Sequence, residues 1–171
     1  MPIIERMQIK FEKKGWITST RCFNLSNSVG PGQPNDIGDV YLIQAFFDWI
    51  LRDGGVFKGG AALSGIDPAK VTGFFDGDTQ KMILKFQKGG DWGVEKTLSA
   101  DGVIHPARLS GRTMRFDRKQ MTIVKLNRDA EWGVGPKYGH DHVAAMLDVY
   151  PLLKAYTKDT TQGQPSKFRI T

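Results

Sequence analysis

Cysteine is almost missing from this chain of 171 residues: Cys22 stands alone, so no intramolecular disulfide frame exists and packing must supply the stability. Histidines number three and glutamates four, which leaves little material for a metal cluster or for paired glutamates. No apolar run approaches the roughly 18 residues that a bilayer span needs. The start, Met1-Pro2-Ile3-Ile4-Glu5-Arg6, also lacks the long apolar stretch of a secretory signal. The chain is therefore expected to be soluble, and to reach any site outside the cell without an N-terminal signal or after its removal.

What is present describes one globular domain, or one with appendages. Apolar residues make up 40% and charged residues 25%, enough for a real core and too apolar for a disordered tail. The formal charge of +6 is concentrated. Residues 108–128 carry Arg108, Arg112, Arg115, Arg118, Lys119, Lys125 and Arg128 against Asp117 alone, and the remainder is neutral. Such a stripe suits a solvated face or an anionic polymer. Phe116 is its one aromatic, and this scarcity of stacking rings disfavours nucleic acid as the partner.

Periodicity and punctuation place the elements. Met7, Ile9 and Phe11 alternate with polar residues. Lys13-Lys14-Gly15 breaks the run and a β-branched stretch follows, so Met7 to Phe23 is expected to form a β-hairpin. Residues 24–38, rich in Asn, Ser, Gly and Pro, read as a loop. Val40, Ile43, Phe46, Phe47, Ile50 and Leu51 share one helical face behind Asp39, a suitable N-cap, while Trp49 falls off that stripe.

Asp53-Gly54-Gly55 stops this helix, and Asp67-Pro68 opens a short turn within the Gly-rich connection that follows. A second helix starts behind Asp76 or Asp78, aligns Thr79, Met82, Ile83 and Phe86, and ends at Lys88-Gly89-Gly90. Asp101-Gly102 and Pro106 mark a turn. Thr113–Phe116 and Met121–Leu126 read as two short strands, and Trp132–Gly139 as a loop. A last helix begins near His140 or Asp141, packs Val143, Met146, Leu147 and Tyr150, and meets Pro151; the polar tail after Tyr156 is expected to fray.

Three of these segments carry a pattern: Val40-x-x-Ile43-Gln44-x-x-Phe47, Gly73-Phe74-Phe75-x-x-x-Thr79-x-x-Met82-Ile83-x-x-Phe86-Gln87, and Asp101-Gly102-Val103-Ile104-x-Pro106. Together they resemble the peptidoglycan-binding domain family, the small three-helix module that accompanies bacterial and phage cell-wall hydrolases. The resemblance covers residues 36 to about 111. Thr72, Asp76 and His105 stand where that family has Asp, Gly and Gly, and the link between Gln87 and Asp101 is longer than its usual one. The helix-packing positions are kept, whereas the changed residues lie in the loops that would shape a groove.

The implied architecture is α+β. Residues 1–35 form an N-terminal hairpin and loop, 36–111 a three-helix peptidoglycan-binding-like core, and 112–171 a C-terminal strand pair and helix packed on it. The implied function is non-catalytic binding of bacterial cell-wall peptidoglycan, in a groove near the start of the second helix and the Asp101–Pro106 turn. Gln44, Phe74, Phe75, Thr79 and Arg108 are the candidate contacts; Phe75 reads equally as core, and Gln44 as a tie between two backbone segments. If it acts there, the protein belongs in the cell wall or periplasm. The alternative is a protein–protein interaction module of a phage particle or secretion apparatus using the same fold, and a cell-wall hydrolase comes third.

Enzymatic readings find less support. An L,D-transpeptidase, a companion of this module, needs an activated thiolate in a Ser-x-Gly-Cys setting, and Cys22 lies in Ser19-Thr20-Arg21-Cys22-Phe23 on an expected strand, as a packed thiol. A metallopeptidase needs three ligands, and His140-Asp141-His142 reads as a helix entry capped by Asp141. Glu5, Glu12, Glu95 and Glu131 form no local pair for a muramidase. Gly54-Gly55 and Gly59-Gly60 lack the Lys-Ser/Thr ending of a phosphate loop. No metal or cofactor is expected. Trp49, Trp92 and Trp132 are left as rings that either stack on a sugar or fold onto the core.

Overall fold

The computed structural model of the chain describes residues 1–11, 16–52, 70–88, 99–107, 113–114, 122–132, 134, 138 and 141–161. The architecture is mixed α+β. Two long strands, β1 (Ile3–Phe11) and β2 (Trp16–Asn24), pair antiparallel in unbroken register from Ile3 opposite Asn24 to Phe11 opposite Trp16. The expected hairpin is there and begins four residues earlier than Met7. Its connecting residues 12–15 lie outside the described set.

Three helices build the centre: α1 (Ile37–Arg52), α2 (Gly77–Lys88) and α3 (Thr122–Trp132). Two shorter ones follow, α4 (His142–Val149) and α5 (Pro151–Tyr156). The far edge of β1 takes two parallel partners of two residues each, β3 (Thr113–Met114) beside Gln8 and Ile9, and β4 (Lys158–Asp159) beside Ile3 and Ile4. Among the described residues no helix is long and apolar enough to cross a membrane.

The central helix α1 is buried on every side, Asp39 to Ile50 without interruption. A helix enclosed by neighbours has no solvent face, so a residue off the main stripe is buried too. Trp49 therefore takes the core one of its two readings, its indole nitrogen donating to Ala130 O at 3.3 Å inside the protein. Phe46 meets Phe23 of β2 edge to face with centroids 5.8 Å apart, and Phe47 meets Phe86 of α2 at 5.7 Å. Ile4 from β1, Ile123 and Leu126 from α3, and Val143 and Met146 from α4 join the same core.

Three sequence expectations differ from the structure, and a fourth holds in part. The segment from Thr122 onward, expected as a strand, is helix α3; Ile123, Leu126 and Ala130 recur at helical spacing and are all buried, so packing overrides the β-preference of Thr-Ile-Val. Of the other expected strand, Thr113–Met114 pairs with β1, and residues 115–116 lie outside the described set. Asp39 is not the N-cap: α1 starts at Ile37, and the Asp39 carboxylate instead accepts from Ser26 N (2.9 Å), Ser26 Oγ (2.6 Å) and Asn27 N (3.0 Å), pinning the incoming loop. Residues 157–161 of the tail are tied down, since Lys158 N donates to Pro2 O (2.9 Å) and Thr160 N to Ile4 O (3.0 Å), and residues 162–171 lie outside the described set.

Other cues hold. Asp76 caps α2 by accepting from Thr79 N at 2.7 Å, Asp141 caps α4 by accepting from Ala144 N at 3.0 Å, and Pro151 divides α4 from α5. The short turn expected at Asp67-Pro68 and the glycine stops after α1 and α2 lie outside the described residues.

Candidate functional site

One device recurs through the irregular parts of this fold. A side-chain amide offers an acceptor and a donor side by side, so it can pair with the N–H and C=O of a passing backbone as a neighbouring strand would. Gln44, in the middle of α1, is the first instance. Its Oε1 accepts from Thr72 N (2.9 Å) and Gly73 N (2.8 Å), and its Nε2 donates to Phe74 O (2.9 Å) and Thr79 Oγ1 (2.9 Å). All four hydrogen-bonding positions of the amide are used within the protein.

Gln87, at the end of α2, repeats the arrangement at the other turn. It accepts from Gly102 N (2.8 Å) and donates to Val103 O (3.0 Å), Asp101 Oδ1 (3.2 Å) and Thr122 Oγ1 (3.2 Å). In both cases the glutamine grips a glycine with left-handed backbone, Gly73 at φ +81° and Gly102 at φ +76°, and reaches a threonine at the head of the next helix. Thus Ile43-Gln44 and Phe86-Gln87 head two copies of one helix–turn–helix joint.

The two turns differ in what covers them. Val29 and Ile104 bridge as a strand pair (Val29 N to Ile104 O, 3.0 Å; Ile104 N to Val29 O, 2.8 Å), and Ser28 Oγ bonds His105 Nδ1 at 2.9 Å. Asn24 grips both backbone groups of Ala107. The N-terminal loop therefore roofs the Asp101–Pro106 turn. A Cβ on Gly30 would stand 2.7 Å from Gly102 O, so the two loops are in direct contact.

The loop before α2 carries an outward ring. Phe74 is 68% exposed, while its neighbour Phe75 packs against the core. Beneath them, Gly73 rests on the first turn of α1, where an added Cβ would come within 2.9 Å of Ile37 Cγ2. Ile37 is itself 49% exposed, so two apolar side chains flank the Gly73 turn. Asp76 is held below the ordinary carboxylate range by hydrogen bonds from the Thr79 hydroxyl and backbone, and Asp78 pairs with Lys81 at 3.2 Å across the helix surface.

Among the sequence candidates, Gln44, Phe74 and Thr79 come together at this loop. Gln44 and Thr79 lie inside and hold it; Phe74 faces out; Phe75 points inward as its core reading has it. Arg108 and most of the basic stripe lie outside the described residues, as do His140 and Trp92. The loop sits at the first turn of α2 and the Asp101 turn at its last, about 12 Å apart along the helix axis at 1.5 Å per residue from Thr79 to Gln87. Ile37 precedes the apolar stripe of α1, and nothing local in the sequence marks it as exposed.

The lone thiol is enclosed. Cys22 is fully buried, and burial first, then the charges of Glu5 and Glu131, push its thiol far above the usual range, away from thiolate character. The Glu5 carboxyl is raised by burial and accepts from Asn24 Nδ2 at 2.6 Å. Among the described residues no three His, Cys, Asp or Glu side chains gather as a metal site. Compared with known proteins, the chain matches no protein family, no curated protein and no solved structure.

Proposed function

We propose that this chain binds bacterial cell-wall peptidoglycan without cleaving it, through the loop at the head of α2. The observation that carries the reading is the Phe74 ring, turned to solvent on a loop whose backbone Gln44 locks from beneath. A flat aromatic face suits the apolar face of a sugar ring, and a loop already fixed loses little freedom when it binds. The resemblance of residues 36–111 to peptidoglycan-binding domains supports the same reading. Gln44 and Thr79 serve as positioning residues under the loop, and Phe74 makes the contact.

Purified sacculi test this. Wild-type protein is expected to sediment with them and Phe74→Ala to stay in solution. Soluble muropeptides in the supernatant would show hydrolysis instead. A protein partner within a phage particle or secretion apparatus is the second reading, and the exposed Ile37 across the Gly73 turn from Phe74 favours it, because a paired apolar surface also suits a protein. It is supported if neither variant sediments with sacculi.

A further inference from the structure

Helix α4 is held to β2 through a buried imidazole. Asn127 of α3 spans the outer edge of β2 like a neighbouring strand: its Oδ1 accepts from Phe23 N (2.7 Å), and its Nδ2 donates to Phe23 O and Ile123 O (both 2.8 Å). The same Oδ1 lies 2.9 Å from His142 Nε2 at the start of α4. Both Asn127 protons are already directed at carbonyls, so Oδ1 can only accept, and His142 must carry its proton on Nε2. Its Nδ1 then holds a bare lone pair, buried and with no hydrogen-bond partner among the described residues.

A second proton on this ring would place an N–H at Nδ1 with no acceptor among the described residues and a charge in an enclosed site. Among the described residues, the charged groups acting on it are Asp141, which precedes α4, and Arg21 of β2, the latter tied to Asp159 of β4. Arg21 bridges the two carboxylates at 3.0 Å (Asp141) and 2.9 Å (Asp159). On α3, Glu131 lies four residues beyond Asn127 and so on the same side of that helix, whereas Lys125 and Asp129 turn away and pair with each other. The positive guanidinium of Arg21 adds to the cost of a second cation.

We propose that His142 makes α4 an acid-operated latch: when the ring takes its second proton, α4 opens from the edge of β2 to hydrate the imidazolium, while the rest of the fold stays closed. Burial, with Asp141 opposing and Arg21 assisting, holds the closed-state His142 pKa at about 4, against 6.5 in water. The closed form is thus the poorer base. Its full advantage exists well above pH 6.5 and falls as pH drops through 6.5 to 4, favouring the open form by up to about tenfold per pH unit, about 80-fold across that window and about 300-fold at the acid limit. The Arg21–Asp159 arm persists in this window: burial raises the Asp159 carboxyl, but bonds from Thr161 and Arg21 together outweigh it and leave it below its ordinary value.

Amide hydrogen exchange on the full chain, corrected for intrinsic rates, reads the latch directly. Protection at Ala145 and Met146 in α4 is expected to fall about 80-fold between pH 6.5 and pH 4, while Met82 and Ile83 in α2 keep theirs. In His142→Gln, which keeps a donor for Asn127 but has no titrating ring, the fall is expected to vanish. The idea is overturned if α4 protection in the wild type does not depend on pH, if His142→Gln shows the same fall, or if α2 opens together with α4. Should His142→Gln not fold, the histidine ring resonance of the wild type decides: it must titrate with the midpoint of α4 opening, and a ring still neutral while α4 opens overturns the latch.

Discussion

Gln44 shows what a single buried amide does in this chain. Its four bonds satisfy two backbone N–H groups and a carbonyl of the loop before α2, and tie that loop to the Thr79 hydroxyl, which itself donates to Asp76. Gln44→Leu keeps the volume and leaves the two N–H groups and the carbonyl without this partner, so it is expected to cost roughly 3 kcal/mol in urea-induced unfolding. Gly73→Ala acts on the same joint from the other side. The substitution meets both a left-handed φ of +81° and the 2.9 Å approach to Ile37, and is expected to lower stability by about 1–2 kcal/mol in the same assay. Phe74→Ala, at an exposed ring, is expected to change stability by less than about 0.5 kcal/mol. Much of this joint is legible in sequence as Gln44, Gly73 and Thr79 at fixed order. The direction in which each Phe faces is not, because Phe74 and Phe75 are identical in type and only the packed loop separates them.

At the level of elements, what sequence shows depends on whether an element has one buried face. Helix α2 does, with Thr79, Met82, Ile83, Phe86 and Gln87 buried, and its helical period locates it. Helix α1 is enclosed, so its polar members Asp39, Gln44 and Asp48 look like a solvent face in sequence although each is buried. Helix α3 misleads for a related reason: it hides polar residues, Lys125, Asn127 and Asp129, within an apolar surround, and the short run from Thr122 to Leu126 has a strand's composition. The Lys125 ammonium bonds Asp129 at 2.5 Å and lies 4.8 Å from the Phe86 ring centroid. Lys125→Met removes the cation from beside a buried carboxylate and is expected to cost about 3 kcal/mol; Lys125→Met with Asp129→Leu should recover most of that loss, as a double-mutant cycle in urea would show.

Across the whole molecule, side-chain amides take over where regular pairing stops. Asn24 grips Ala107, Asn35 grips Gly30, Asn127 grips Phe23, and the two glutamines hold the two turns. These contacts join residues as far as 104 positions apart in the chain. Their distance explains why the placement of the flanks on the helical centre cannot be read from local pattern. The resemblance to peptidoglycan-binding domains rests on residues that have clear structural tasks here. The Gln44–Gly73 joint fixes a loop with one open aromatic, and the Gln87–Gly102 joint fixes one covered by the N-terminal segment. The proposed binding surface is thus narrower than the groove expected from sequence, and centres on Phe74.

Co-sedimentation with purified sacculi, comparing wild type with Phe74→Ala at matched stability and moderate salt, tests that surface most directly. The expected result is wild-type protein in the pellet, the variant in the supernatant, and no muropeptides released by either. Equal sedimentation of the two proteins, or wild-type protein left in solution, would contradict recognition of the cell wall through this loop.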